Sequence, residues 1–257
     1  DEKTKDMAKT YYVKGLIYDQ LAKSTNPEFQ GICEYPLVNA FDNYKKAYNM
    51  GDSKMLQGTI DAKFLMLTNS LINVAVTKYQ EENFKEAFIY FQKTLEVKEM
   101  PVFQGELDTA VIFNTAIAAQ RSEDYDNAIK YYEKSITLGY GEGDTYSLLA
   151  DSYKAKGDTL TYINKLKEGF EKYPSNQNLL GGIINFYILE SDNASEAFKY
   201  LELAREKDPN NPQFYSAEAH LYDKTGDRET AKEKYKKAIE LDPNFFEAYY
   251  NLGVLYF

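Results

Sequence analysis

The chain has no tryptophan, one cysteine (Cys33) and one histidine (His220) among its 257 residues. A lone cysteine excludes an intrachain disulfide. One cysteine and one histidine are also too few ligands for a Cys/His metal site. Any Ser-His or Cys-His nucleophile would have to be built on His220 or Cys33, and neither sits in a recognisable motif. A single cysteine does not report the redox compartment. No phosphate loop, metal motif or nucleophile elbow is present, so no cofactor is expected and no catalytic residue stands out. The carboxylate pairs Glu81-Glu82 and Glu123-Asp124 fall at turns, where acids cap helices and face solvent. No apolar run approaches the roughly 18 residues of a membrane span. Positive charge is in short supply: 30 Lys and Arg stand against 40 Asp and Glu, a net −10. That balance argues against a general nucleic-acid binder, which carries a basic stripe. It would suit a basic partner, although acidity by itself usually serves solubility. The chain starts at Asp1 without a methionine or a signal segment. Its compartment stays open between exported (periplasmic) and cytoplasmic.

What the sequence does have is tyrosine, 24 residues of it, and a repeating pattern. The pattern is clearest from Pro212 on. Tyr215, Ala219 and Tyr222 recur at helical spacing and share one face of a first helix. Ala231, Tyr235 and Ala238 do the same on a second. The alanines let two helix axes approach closely and the tyrosines fill the volume beside them. Gly226 suits the positive φ needed where the first helix stops, Asp227 can cap the second, and Pro243 punctuates the unit.

The same marker residue runs back along the chain at Ala231, Ala197, Tyr162, Ala128, Ala87 and Ala40, with spacings of 34, 35, 34, 41 and 47 residues. Pro243, Pro209 and Pro174 agree with it. Helical hairpins at this period resemble the tetratricopeptide repeat. The resemblance covers nearly the whole chain, as six and a half units with two insertions. It implies an all-α, right-handed α-solenoid of about thirteen helices, stacked as antiparallel hairpins in a single domain over 1–257. The units fall at about 4–52, 53–101, 108–142, 143–176, 177–211 and 212–245, with a half unit at 246–257.

In order, 4–22 reads as the first helix. The Pro- and Gly-bearing stretch 23–36 reads as an inserted loop holding Cys33, and the second helix runs from Leu37 to Met50. Gly51-Asp52 turns the chain. From Ser53 to Gln80 one long helix is expected, or two in line with a break near Asn69. Its partner is 84–98, and 100–107 is the second insertion. In the fourth unit Tyr162 is large where a small residue belongs, which calls for a splayed hairpin or compensation by Gly169. The fifth unit is the poorest: Gly181 and Gly182 lie inside a helix, and Asn185 takes the small position.

In a solenoid of this family the first helices line a concave face. The register places Tyr12 and Leu16 there, then Ile72, Val76 and Tyr79, then Phe113, Asn114, Ile117 and Arg121. Leu179, Ser216, His220 and Tyr250 follow in later units. The N-terminal half of this face is apolar and aromatic, so the candidate partner is a protein or peptide with apolar anchors. A subfamily clamps acidic chaperone tails with lysines and asparagines on these helices. Here Tyr12, Ile72 and Phe113 stand at the lysine position, and Leu16, Val76 and Ile117 at the asparagine position, so that clamp is missing.

The function expected is a non-catalytic protein- or peptide-binding scaffold. The alternatives are the repeat portion of a longer enzyme and a self-assembling structural protein. At the C-terminal edge, Gly253 and the apolar Val254, Leu255 and Phe257 raise the expectation of cover. That cover would be a continuing chain or, by self-association, another copy.

Overall fold

A computed structural model describes residues 7–29, 31–51, 53–191 and 193–257. These residues hold thirteen α-helices and no strand. They form two compact units that meet in sequence between Tyr140 and Gly141.

The first unit contains α1 (Ala8–Lys23), α2 (Pro36–Met50), α3 (Lys54–Gln80), α4 (Phe84–Lys98), α5 (Thr109–Arg121) and α6 (Tyr125–Thr137). They pair as the hairpins α1/α2, α3/α4 and α5/α6, with α2 against α3 and α4 against α5. The second unit contains α7 (Glu142–Ala155), α8 (Thr159–Lys172), α9 (Gln177–Asn185), α10 (Ala194–Lys207), α11 (Pro212–Lys224), α12 (Arg228–Leu241) and α13 (Phe246–Val254). Its hairpins are α7/α8, α9/α10 and α11/α12, and α13 packs on α12. The first helix begins at Ala8; positions 4–6 of its expected span lie outside the described residues, as does Asp52 of the turn at Gly51. The long helix is continuous through Asn69.

The marker residues do what their size suggests. Ala40, Ala87, Ala128, Ala197 and Ala231 are wholly buried. Gly15 serves the same end: a Cβ built there would lie 2.5 Å from the ring of Tyr44, itself fully buried.

Four hairpins close in one way. The amides of Asn83, Asp124, Asp158 and Asp227 donate to carbonyls five residues back, at 2.9, 2.9, 3.0 and 2.9 Å. The residue before each turns to positive φ: Glu82 at 59°, Glu123 at 63°, Gly157 at 82° and Gly226 at 92°. The side chain of the same Asn or Asp then accepts from the amide three residues on and starts the next helix. Two consecutive residues therefore end one helix and cap its partner.

The fifth unit departs from the pattern. After α9 the chain makes a π-turn, Phe186–Glu190, in which the Ser191 amide donates to the Phe186 carbonyl at 3.0 Å. A π-turn takes up one extra residue. This explains why the spacing from Tyr162 to Ala197 is 35 rather than 34. The large Tyr162 is accommodated by Gly182 rather than by Gly169: its hydroxyl donates to the Gly182 carbonyl at 3.5 Å. A Cβ at Gly182 would meet Leu166 at 2.8 Å. Gly169 instead makes room for Tyr146 and Leu179.

Both insertions pack onto the first unit. Tyr35, at the end of the first loop, sets its ring edge-on to Tyr90 at 6.1 Å. Cys33 is half-buried, and Asn39 Nδ2 donates to its Sγ at 3.2 Å. The second insertion forms a 3-10 turn, Pro101–Phe103, against α3.

Candidate functional site

Two helices of the first unit bring four of the nine candidate residues together. Val76 and Tyr79 are one turn apart on α3, and Asn114 and Ile117 are one turn apart on α5. Phe91 of α4, almost completely buried, closes the space between them. The result is a cleft of about 170 Å³ lined by these five side chains. For scale, an apolar protein cavity of about 150 Å³ holds a benzene ring. Val76 and Asn114 are exposed at the mouth, while Tyr79 and Ile117 are half-buried. No charged group lines the cleft.

One side of the mouth is braced by ring contacts. Tyr79 packs edge-on against Phe84 at 5.1 Å, and the Arg121 guanidinium lies 4.9 Å over the same Phe84 ring. Arg121 therefore contributes a cation–π contact at the rim. Beyond Tyr79, Lys78 bridges to Glu81 at 3.0 Å and Glu86 at 3.5 Å. The hydrogen bond that Lys78 donates to Glu81 holds the lysine above its ordinary range. Burial, with help from Glu86, pushes the Tyr90 phenol up to about 12.

The other candidates are placed elsewhere. Ile72 is half-buried on α3, one turn before Val76, and does not line the cleft. Phe113 turns toward α6, with its ring 5.9 Å from Tyr132 and 5.4 Å from Tyr140, so it supports the hairpin. Tyr12 lies 5.8 Å from Tyr44. Leu16 belongs to a separate groove on α1, beside Val13, Ile17 and Phe29.

Phe91 was not legible as a site residue, because it is a seam residue of the second helix.

In the second unit, Leu179, expected on the concave face, is wholly buried, while Leu180, Gly181 and Ile184 of the same helix line a cleft. Lys154 on α7 is held by Glu190 at 2.6 Å, and that hydrogen bond raises it above the ordinary lysine range. Among the described residues, no group of three or more His, Cys, Asp or Glu could hold a metal ion, and no helix is long and apolar enough to cross a membrane.

Two family models match the chain: a TPR repeat over residues 219–257 and a tetratricopeptide repeat over 111–138. Curated relatives include the Hsp70-Hsp90 organizing protein of Triticum aestivum, 29% identical over 147 residues, which is 56% of this chain and 23% of that protein. Another is the photosystem I assembly protein Ycf3 of Prochlorococcus marinus (strain NATL2A), 31% identical over 87 residues, 33% of this chain and 50% of that one. The chain thus spans half or less of the length of these relatives. Among solved structures, the C-terminal part of a TPR repeat-containing protein from Cytophaga hutchinsonii aligns with a TM-score of 0.51. The two are 18% identical, over 72% of this chain and 69% of that one, a likeness of fold alone.

Proposed function

We propose that this chain, which carries tetratricopeptide repeats, is a non-catalytic scaffold that binds a protein or peptide segment through the α3–α5 cleft. The observation that carries the reading is the uncharged cleft itself, open to solvent at Val76 and Asn114 over the buried ring of Phe91. An incoming apolar side chain enters between Val76 and Ile117. Burying one is worth about 1.5–3 kcal/mol. The Asn114 carboxamide, a donor and an acceptor together, is placed to meet the partner's main chain. The likeness to an Hsp70-Hsp90 organizing protein and to a photosystem assembly protein supports a protein as the partner class. It does not support an acidic tail as the ligand, because Ile72, Val76, Phe113 and Ile117 occupy the clamp positions.

Affinity capture from the source cell, followed by mass spectrometry, tests the reading. Ile117→Ser and Val76→Ser should each cut capture at least about tenfold while leaving the melting temperature within a few degrees. Phe113→Ser is not a binding probe, since it removes a ring packed on Tyr132. Undiminished capture by both variants would move the site off this cleft.

A second reading, self-association through α13, is favoured by the exposure of Tyr250 (73%) and Val254 (54%). A solution mass that rises with concentration, and falls again with Tyr250→Ser, would support it. A constant monomer mass would dismiss it.

A further inference from the structure

The second unit holds a cleft of about 530 Å³ between α9, α11 and α13. It shares no residue with the α3–α5 cleft. Its floor is apolar, formed by Leu180, Ile184 and Phe214, all buried. Its rim is polar: Gln177 on α9, Gln213 and His220 on α11, and Glu247 on α13. Among the described residues, none of these four side chains makes a hydrogen bond or ion pair. No lysine or arginine lines the cleft, so Glu247 is the one lining residue of fixed charge.

Gly181 opens the space. A Cβ built there would meet no heavy atom within 4 Å, so packing does not require glycine at this position. Glycine inside a helix costs about 1 kcal/mol against alanine. The adjacent Gly182 has a packing reason, its contact with Leu166. Gly181 has none within the fold, and what its missing side chain leaves is room in the cleft.

We infer that this cleft is a second binding site, for an extended peptide segment that places an apolar side chain on the floor next to a lysine or arginine. Gln177 and Gln213 each present a donor and an acceptor, the pair that a peptide unit needs on both sides of its main chain. Glu247, unpaired and unopposed, supplies the charge preference. The same arrangement disfavours acidic or phosphorylated peptides, for which the rim offers no fixed cation.

A random nine-residue display library, selected on the whole chain, tests this. Wild type should enrich sequences with an apolar residue beside Lys or Arg. Gly181→Trp, whose Cβ meets no heavy atom within 4 Å, fills the cleft and should lose that enrichment. Ile117→Ser should keep it. For the best peptide made as a fluorescent probe, Glu247→Gln should weaken binding about two- to fivefold at low salt. Glu247→Lys should turn the preference toward Asp and Glu. Because Glu247 is exposed, this variant carries the test even if Gly181→Trp folds poorly. The proposal is overturned by no enrichment, by acidic sequences enriched on wild type, or by enrichment that survives a folded Gly181→Trp. Loss on Ile117→Ser would assign the peptides to the first cleft instead. If Gly181→Trp converts an unliganded dimer to a monomer, the occupant is a second copy of the chain and the peptide site is refuted.

Discussion

Gly181 and Gly182 are neighbours in one helix, so alanine at either gains the same helix propensity, about 1 kcal/mol. Their surroundings differ. The Cβ of Gly181→Ala enters open space, whereas that of Gly182→Ala comes to 2.8 and 3.2 Å from the two methyl carbons of Leu166. Leu166 is 1% exposed and cannot swing aside into solvent. Overfilling a packed site of this kind costs about 1–3 kcal/mol. Gly181→Ala should therefore stabilise the protein by about 0.5–1 kcal/mol, while Gly182→Ala should be neutral to about 2 kcal/mol destabilising. The difference between the two variants isolates the packing contribution. Urea titration followed by circular dichroism reads it, provided both variants keep the wild-type slope. Equal shifts of the same sign would refute the packing account of Gly182, and with it the argument that Gly181 is kept for the cleft.

Other consequences are simpler. Glu123 holds φ at 63° where two other hairpins use glycine, so Glu123→Gly should raise stability by about 0.5–1 kcal/mol; a loss in thermal melts would contradict this. Cys33→Ser keeps an acceptor for Asn39 and should change stability by no more than about 0.5 kcal/mol; a fall of several degrees in Tm would show that the thiol is a packing element. Burial works to raise the Asp108 carboxyl, but the Val111 amide and the Lys98 ammonium outweigh it and hold the group below the usual aspartate range. The stability it adds is present above the unfolded value of about 3.9 and is lost as pH falls through the lower folded value. Asp108→Asn should therefore flatten the decline in stability below about pH 4, and an unchanged acid limb would refute the pairing.

The hairpin seams were legible because they rest on residue size at a fixed period. Ala40, Ala87, Ala128, Ala197 and Ala231 need no tertiary information to be recognised, and all five are fully buried. The candidate site was legible in part. Val76, Tyr79, Asn114 and Ile117 came from helical register alone, but register does not say which way a large ring leans. Phe113 leans back onto Tyr132, where ring contacts outweigh exposure. Phe91 was missed because a seam residue can also form the floor of a cleft. In the fifth unit the 35-residue spacing carried the signal of the π-turn.

The central claim is that an apolar anchor of a protein partner sits between α3 and α5. The most direct measurement is a methyl-labelled NMR titration of the chain with the captured partner. The account predicts that the methyl resonances of Val76 and Ile117 shift most, and that Ile117→Ser removes the saturable response. Saturable binding that leaves both sets of methyls unmoved would contradict it.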